Sequence, residues 1–154
     1  MSAEKIIGNL LWLANDDLDD ARDLQRRGKR NAAYHIEQAA EKTLKAVLVS
    51  EGIPSGTGHQ LEVLASQIPD ENPFKPRLLD IDELTAFATT YRYVTGGGRI
   101  PAPPDPAEMT RWIAEVDTLI QEIAARFGVD LSRKDTPAKW PGPIRNPQTP
   151  QLSP

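Results

Sequence analysis

Apolar residues recur every three or four positions along most of this chain, a spacing that places them on one face of an α-helix. The first such run contains Ile7, Leu11, Ala14, Leu18 and Ala21. The alternation of apolar and polar residues that is typical of a β-strand is not sustained in any segment. The sequence therefore predicts an all-α fold, an up-and-down antiparallel four- to five-helix bundle. The predicted helices cover residues 3–27, 30–51, 59–68, 76–95 and 106–128.

The C-terminal part of the chain is rich in proline. Six of the 14 prolines lie between Pro137 and Pro154, in a segment that has no apolar periodicity. Such a composition is typical of a disordered or docking tail. We therefore expect one folded domain, a helical bundle over residues 1–130, followed by a proline-rich, disordered tail over residues 131–154.

Charge is unevenly distributed between these two parts. The net charge of the chain is −4, and the residues from Ser132 onward contribute +3, which leaves −7 on the rest. An acidic domain does not attract nucleic acid through its overall charge, so an RNA or nucleotide site requires a local basic patch. Five basic residues fall within the nine positions from Arg22 to Arg30. They suit such a patch, and they equally suit a helix C-terminus, where cations interact favourably with the helix dipole.

Several kinds of site are disfavoured by the composition. The chain has no cysteine, which excludes disulfides and thiolate chemistry, and its two histidines lack metal-ligand spacing, so we expect neither a metal nor another cofactor. The glycines at 96–98 lack the lysine and the preceding strand of a phosphate-binding loop. Asn9 interrupts the apolar run near the N-terminus, which therefore predicts neither a signal peptide nor a membrane span. The expected location is cytoplasmic.

The second predicted helix carries the candidate site. At about 100° per residue, Ile36 and Leu44 lie on the main apolar stripe, and a second stripe consists of small residues such as Ala39. His35 lies at the border between this alanine stripe and the polar sector. We expect a partly exposed histidine beside an approaching helix. The alternative is an ordinary solvated face, stabilised by an ion pair one helical turn apart between Glu41 and Lys45.

The position of Arg30 relative to His35 decides whether the two residues can act together. If both were helical, Arg30 would point about 140° away from His35. They could converge on one phosphate if Asn31 is the N-cap and Arg30 lies outside the helix. Convergence across a symmetric dimer is the other possibility.

The segment AYHIEQAAEKTLKAVL, from Ala33 to Leu48, resembles the second helix of the HEPN family (higher eukaryotes and prokaryotes nucleotide-binding). The segment GHQLEVL, with His59, resembles the start of that family's third helix, and YRYV, with Arg92 and Tyr93, resembles its arginine–tyrosine element. The likeness covers residues 5–127. It implies a helical bundle that commonly forms homodimers and has a nucleotide or RNA function. It also implies a possible partner, a minimal nucleotidyltransferase, in a system of the toxin–antitoxin type.

The resemblance further implies catalytic roles. Several branches of the family are metal-independent ribonucleases in which an arginine precedes a histidine by four to six residues, and Arg30, Asn31 and His35 match that pattern. His35 would transfer a proton at the RNA 2′-hydroxyl, Arg30 or Arg92 would hold the phosphate, and Asn31 would orient either group. The chain departs from the family in two ways. The ribonuclease motif usually lies on a later helix, and nucleotidyltransferase-linked toxins often carry a tyrosine where this chain has Glu37.

Two non-catalytic hypotheses stand beside the ribonuclease. In the first, the protein binds a nucleotide or RNA and a partner enzyme performs the chemistry. In the second, the protein is a scaffold whose tail binds another protein through Trp140. Under the first hypothesis the candidate nucleotide-binding residues are Gln38, Lys42, Lys45, Arg92 and Tyr93.

Overall fold

The computed structural model describes residues 2–56 and 58–147. This part of the chain is helical and contains no β-strand, so the predicted all-α bundle is confirmed. Three of the predicted helices (the first, second and fifth) have the expected bounds to within two residues. The helices are α1 (Ala3–Arg26), α2 (Ala32–Ser50), α3 (Leu61–Ser66), α4 (Lys75–Asp80), α5 (Thr85–Thr89) and α6 (Pro106–Phe127).

The pair formed by α1 and α2 is the centre of the bundle, and α6 packs against both helices. A short loop joins α1 to α2, and it turns at Gly28, whose φ of 67° is readily adopted only without a side chain. Both predicted stripes of α2 are buried, including Ile36 and Leu44 on one stripe and Ala39 on the other. The small stripe lets a neighbouring helix approach closely, so α2 is enclosed on two sides. Across the described residues, none of the helices combines the length and apolar character that a membrane crossing needs.

The fourth predicted helix is broken into three pieces. The chain forms α4, a 3₁₀ turn over Ile81–Leu84, and α5, and it leaves the helical conformation after Thr89. The physical reason is the spacing of the buried residues, which recur at steps of three. A step of three matches the three residues per turn of a 3₁₀-helix better than the 3.6 of an α-helix. The buried residues are Leu78, Ile81, Leu84 and Phe87.

Residues 131–147, here called the C-terminal strap, lie against the bundle. This arrangement differs from the predicted disordered tail. The backbone N–H groups of Lys139 and Trp140 donate to the carbonyl of Phe127, and the N–H of Ala138 donates to the carbonyl of Glu4. Ala138 and Ile144 are buried. Because the strap is held by backbone hydrogen bonds and isolated apolar residues, it leaves no periodic signal in the sequence. Residues 148–154 of the predicted tail lie outside the described residues.

Two contacts fix the strap at its ends. Arg145 donates to both carboxylate oxygens of Glu51 at 2.6 and 3.0 Å, and Asn72 donates to one of them at 3.0 Å. Burial alone would raise the pKa of Glu51, but these hydrogen bonds outweigh burial and lower it. At the other end, a Cβ atom at Gly8 would lie 2.2 Å from the carbonyl oxygen of Thr136. Glycine at this position therefore lets the strap reach α1.

Candidate functional site

His35 lies on the first turns of α2 and faces α1. Its side chain is 27% exposed, as expected for a residue at the edge of the polar sector. Its Nδ1 lies 3.3 Å from Oδ1 of Asp17, whose side chain is 16% exposed. A carboxylate beside Nδ1 favours the tautomer that is protonated there, which leaves Nε2 as the atom that accepts a proton. The pair of Asp17 and His35 is therefore arranged for general acid–base chemistry.

Asp17 is also held in place by a lysine on α2. The ammonium group of Lys42 contacts Oδ2, while Oδ1 faces His35. In the structure Lys42 orients the carboxylate that contacts His35, and its nucleotide-binding role stays a prediction. Asp17 was not among the predicted site residues. A usable signal was present, because Asp17 is three residues after the buried Ala14 and four before the buried Ala21.

Arg92 reaches the same surface from a distant part of the chain. Its guanidinium carbon lies 4.1 Å from the centroid of the Tyr34 ring, and that ring meets the His35 ring edge-on with centroids 5.4 Å apart. Tyr93 lies beside Arg92, with 5.4 Å between the guanidinium carbon and the ring centroid, and is 61% exposed. The fold thus assembles a guanidinium and two aromatic rings next to His35.

Arg30 is outside the helix, because α2 begins at Ala32 and Asn31 occupies the N-cap position. This was one of the two arrangements that would free Arg30 from the helical geometry. Its guanidinium donates to the backbone carbonyl of Pro101. Asn31 is exposed and makes no side-chain capping hydrogen bond. Arg30 therefore ties the α1–α2 loop to the loop that precedes α6, and the structure gives it no direct contact with His35 in the described residues.

These positions can be compared with known proteins. A family model described as HEPN domain matches residues 9–126, which is most of the chain. The chain belongs to the HEPN family. Neither the curated proteins nor the solved structures contain a match to it. Membership confirms the resemblance of the α2 sequence and identifies a helical protein of the nucleotide- and RNA-binding or ribonuclease-like class.

The remaining predicted residues of this HEPN domain lie at a separate, buried cluster. Gln38 donates to the carboxylate of Glu37 at 2.9 Å, and Lys45 lies 3.6 Å from Glu41. The ion pair one turn apart is present, but Glu41 is 4% exposed and so does not lie on a solvated face. Nδ1 of His59 lies 2.8 Å from the same carboxylate. Gln38 and Lys45 therefore contact buried carboxylates, and their nucleotide-binding roles stay predictions.

Glu37 is the least exposed charged residue of this cluster, at 1%. Burial raises its pKa from 4.5 to about 7, the hydrogen bond from Gln38 lowers it in part, and the charge of Glu41 raises it further. The side chain consequently exchanges its proton near neutral pH. A signal for this burial was present in the sequence, because at about 100° per residue Glu37 lies about 20° from Leu44, on the main apolar stripe of α2.

The basic patch of the HEPN domain is partly neutralised by its own helix. Arg22 pairs with Asp19 at 2.9 Å and with Asp117 of α6 at 3.2 Å, and Arg26 pairs with Asp23. The exposed cations of the α1–α2 loop, Arg27 and Lys29, follow directly on the chain. The basic residues on the helix therefore pair with carboxylates, whereas those in the loop carry positive charge next to Arg30. Only the loop residues suit a basic patch for nucleic acid.

Proposed function

We propose that this HEPN domain binds RNA at the surface formed by His35, Tyr34 and Arg92. The observation that supports the proposal is the stack of Arg92 on Tyr34 beside His35. A planar guanidinium binds phosphate oxygens through two parallel hydrogen bonds, and aromatic faces stack on unpaired bases. Groups suited to a phosphate, a base and a proton transfer therefore share one surface.

The charge distribution supports a local contact with the RNA backbone. The folded part is acidic overall, so long-range attraction is weak. Arg27 and Lys29 are exposed on the loop that Arg30 fastens to Pro101. These cations can neutralise phosphates that flank the bound nucleotide, which makes the affinity fall as the salt concentration rises.

A second candidate function, a metal-independent endoribonuclease, is favoured by the contact between Asp17 and His35. Nε2 of His35 would accept the proton of the 2′-hydroxyl, whose oxygen then attacks the adjacent phosphorus. The P–O5′ bond breaks, the products are a cyclic phosphate and a 5′-hydroxyl, and a second acid protonates the leaving oxygen. Arg92 would stabilise the charge on the phosphoryl oxygens, and Asp17 would stabilise the protonated imidazole.

The proposal extends to partners on the basis of the family. A homodimer would supply a second His35, which can act as the acid when the first acts as the base. A minimal nucleotidyltransferase would be the partner in a system of the toxin–antitoxin type. Co-purification of the two proteins, together with the molar mass of the complex in solution, tests this part.

RNA binding is tested with a fluorescent single-stranded oligonucleotide and anisotropy in a buffer that contains a chelator. Arg92→Ala should weaken binding about tenfold, since one stacking contact is worth about 1–3 kcal/mol. Arg111→Ala is a matched control, because Arg111 is an exposed residue of α6 whose guanidinium carbon also lies over an aromatic ring, 4.7 Å from the centroid of Trp112. Equal affinity of wild type and Arg92→Ala would refute the assigned surface.

Cleavage is tested separately from binding. If the second candidate is correct, induced wild type arrests growth and cleaves RNA in the presence of chelator, and a folded His35→Ala variant does neither. Arg30→Ala distinguishes the two arginines. Because Arg30 contacts the Pro101 carbonyl, its loss should affect cleavage less than the loss of Arg92. Intact RNA after incubation with the purified wild-type protein would refute the ribonuclease and leave the binding proposal standing.

A further inference from the structure

We propose that Asp17, Asp20 and His35 form a binding site for one divalent transition cation, with Zn²⁺ as the probe that fits it best. One ligand atom from each of the three side chains lies within 4.8 Å of the other two. The two carboxylates come from α1 and the imidazole comes from α2. Sequence spacing alone could not reveal the site, because its ligands are on two helices.

The geometry suits tetrahedral coordination. Bonds of about 2.0–2.1 Å from Zn²⁺ to nitrogen and oxygen place neighbouring ligand atoms about 3.3–3.4 Å apart. The distance of 3.3 Å between Nδ1 of His35 and Oδ1 of Asp17 already has this value. Asp20 is three residues after Asp17, on the same face of α1, and its exposed side chain is free of packing. A change of its χ angles brings the third ligand in, and water completes the shell.

The surroundings orient the ligands and select the metal. Lys42 holds Oδ2 of Asp17, so Oδ1 stays directed towards His35. A mixed set of one imidazole and two carboxylates favours Zn²⁺ and similar first-row cations over Mg²⁺ and Ca²⁺, which prefer oxygen ligands alone. The ammonium group of Lys42 also repels a cation at this site, which lowers the affinity for Zn²⁺.

Occupancy of the site changes which nitrogen of His35 carries the proton. A metal ion on Nδ1 uses the lone pair there, so the neutral ring carries its proton on Nε2. This is the opposite tautomer from the one that Asp17 favours, and it cannot accept a proton from a 2′-hydroxyl. The cation is therefore expected to inhibit RNA cleavage by the HEPN domain. This consequence rests on the proposed ribonuclease function, whereas cation binding itself does not.

Binding is measured by calorimetric titration of the full chain with Zn²⁺, after treatment with a chelator and its removal. We expect a single ion per chain. His35→Gln should lower the affinity by more than about tenfold, and Asp20→Asn should do the same. His59→Gln and Asp23→Asn are the matched controls, since they change the other histidine and another carboxylate of α1, and they should bind Zn²⁺ as wild type does.

Lys42→Gln tests the site through an expected increase in the affinity for Zn²⁺. Glutamine can still donate a hydrogen bond to Oδ2 of Asp17 but carries no positive charge, so this substitution should tighten Zn²⁺ binding severalfold, whereas an incidental surface contact elsewhere would not respond. The site is overturned if wild type does not bind Zn²⁺, or if His35→Gln or Asp20→Asn retains the wild-type affinity while circular dichroism shows that the variant is folded. Zn²⁺ binding without an effect on RNA cleavage would refute the tautomer mechanism and keep the site. Cleavage by a chain that does not bind Zn²⁺ would refute the site and keep the ribonuclease.

Discussion

Replacing Glu37 with glutamine tests how a carboxyl group that is 1% exposed changes the free energy of unfolding with pH. Burial raises the pKa of Glu37 from 4.5 to about 7, so the folded chain keeps this proton in a range where the unfolded chain has released it. At about 1.4 kcal/mol per pKa unit, the difference corresponds to about 3 kcal/mol. The folded state binds more protons between these pH values, so its stability decreases as the pH rises from about 4.5 to 7 and is then constant.

Glutamine has nearly the same shape and still accepts the hydrogen bond from Gln38, but it carries no ionisable group. The Glu37→Gln variant should therefore match wild type near pH 4 and exceed it by about 3 kcal/mol near pH 8. The assay is urea unfolding at a series of pH values, followed by tryptophan fluorescence. Glu83→Gln, at an exposed position of the 3₁₀ turn, is the control and should keep the pH dependence of wild type. If Glu37→Gln keeps it as well, the buried carboxyl is not the cause.

Two further perturbations test the strap and the site. Gly8→Ala would place a Cβ atom 2.2 Å from the carbonyl oxygen of Thr136, so we expect a loss of about 1–3 kcal/mol and faster proteolysis of the strap, whereas Gly97→Ala in an open loop should cause neither. Unchanged stability and proteolysis of Gly8→Ala would show that the strap does not lie on α1. Under the proposed ribonuclease function, Asp17→Asn should reduce the rate constant of RNA cleavage about 100-fold and leave RNA affinity unchanged, because the role proposed for Asp17 is to position His35 and not to contact the RNA. An equal loss in affinity would contradict a positioning role.

The long helices were predictable because their burial follows one period. Ile7, Leu11 and Leu18 recur at helical spacing and are fully buried, which is why the bounds of α1 agree with the expectation. The same reasoning overextended the fourth helix, where residues such as Ile81 and Leu84 are buried at steps of three. Burial at steps of three fits the 3₁₀ turn that the structure has between α4 and α5.

The strap shows where periodicity carries no information. Its contacts are backbone hydrogen bonds to Phe127 and Glu4 and single buried side chains such as Ile144. A proline-rich segment with few apolar residues has the composition of a disordered chain. Its composition is the same when the segment packs against the surface of a folded domain. The surface that accepts it is formed by distant residues, among them Gly8 and Glu51.

The candidate site was predictable in part, for a related reason. The helical projection correctly placed His35 at the edge of the polar sector and allowed Arg30 to lie outside α2. It could not pair His35 with Asp17 or bring Arg92 onto Tyr34, since both contacts join different parts of the chain. A helical projection predicts the face of the helix on which a residue lies. It does not predict which residue of another helix or loop contacts that face, because tertiary packing determines this.

The orientation of the His35 ring separates the two ligands that we propose. Nδ1 faces Asp17 and the acidic side of α1, where a cation is attracted and RNA is repelled. Nε2 is on the other side of the ring and is the nitrogen that can meet a 2′-hydroxyl. The cation can therefore inhibit RNA cleavage without displacing the RNA from its binding surface. They are coupled through the single proton of a neutral imidazole, so a cation that blocks cleavage should leave the affinity for RNA nearly unchanged. Competition for binding would instead indicate that the RNA lies on the acidic side of α1, contrary to the surface assigned to Arg92.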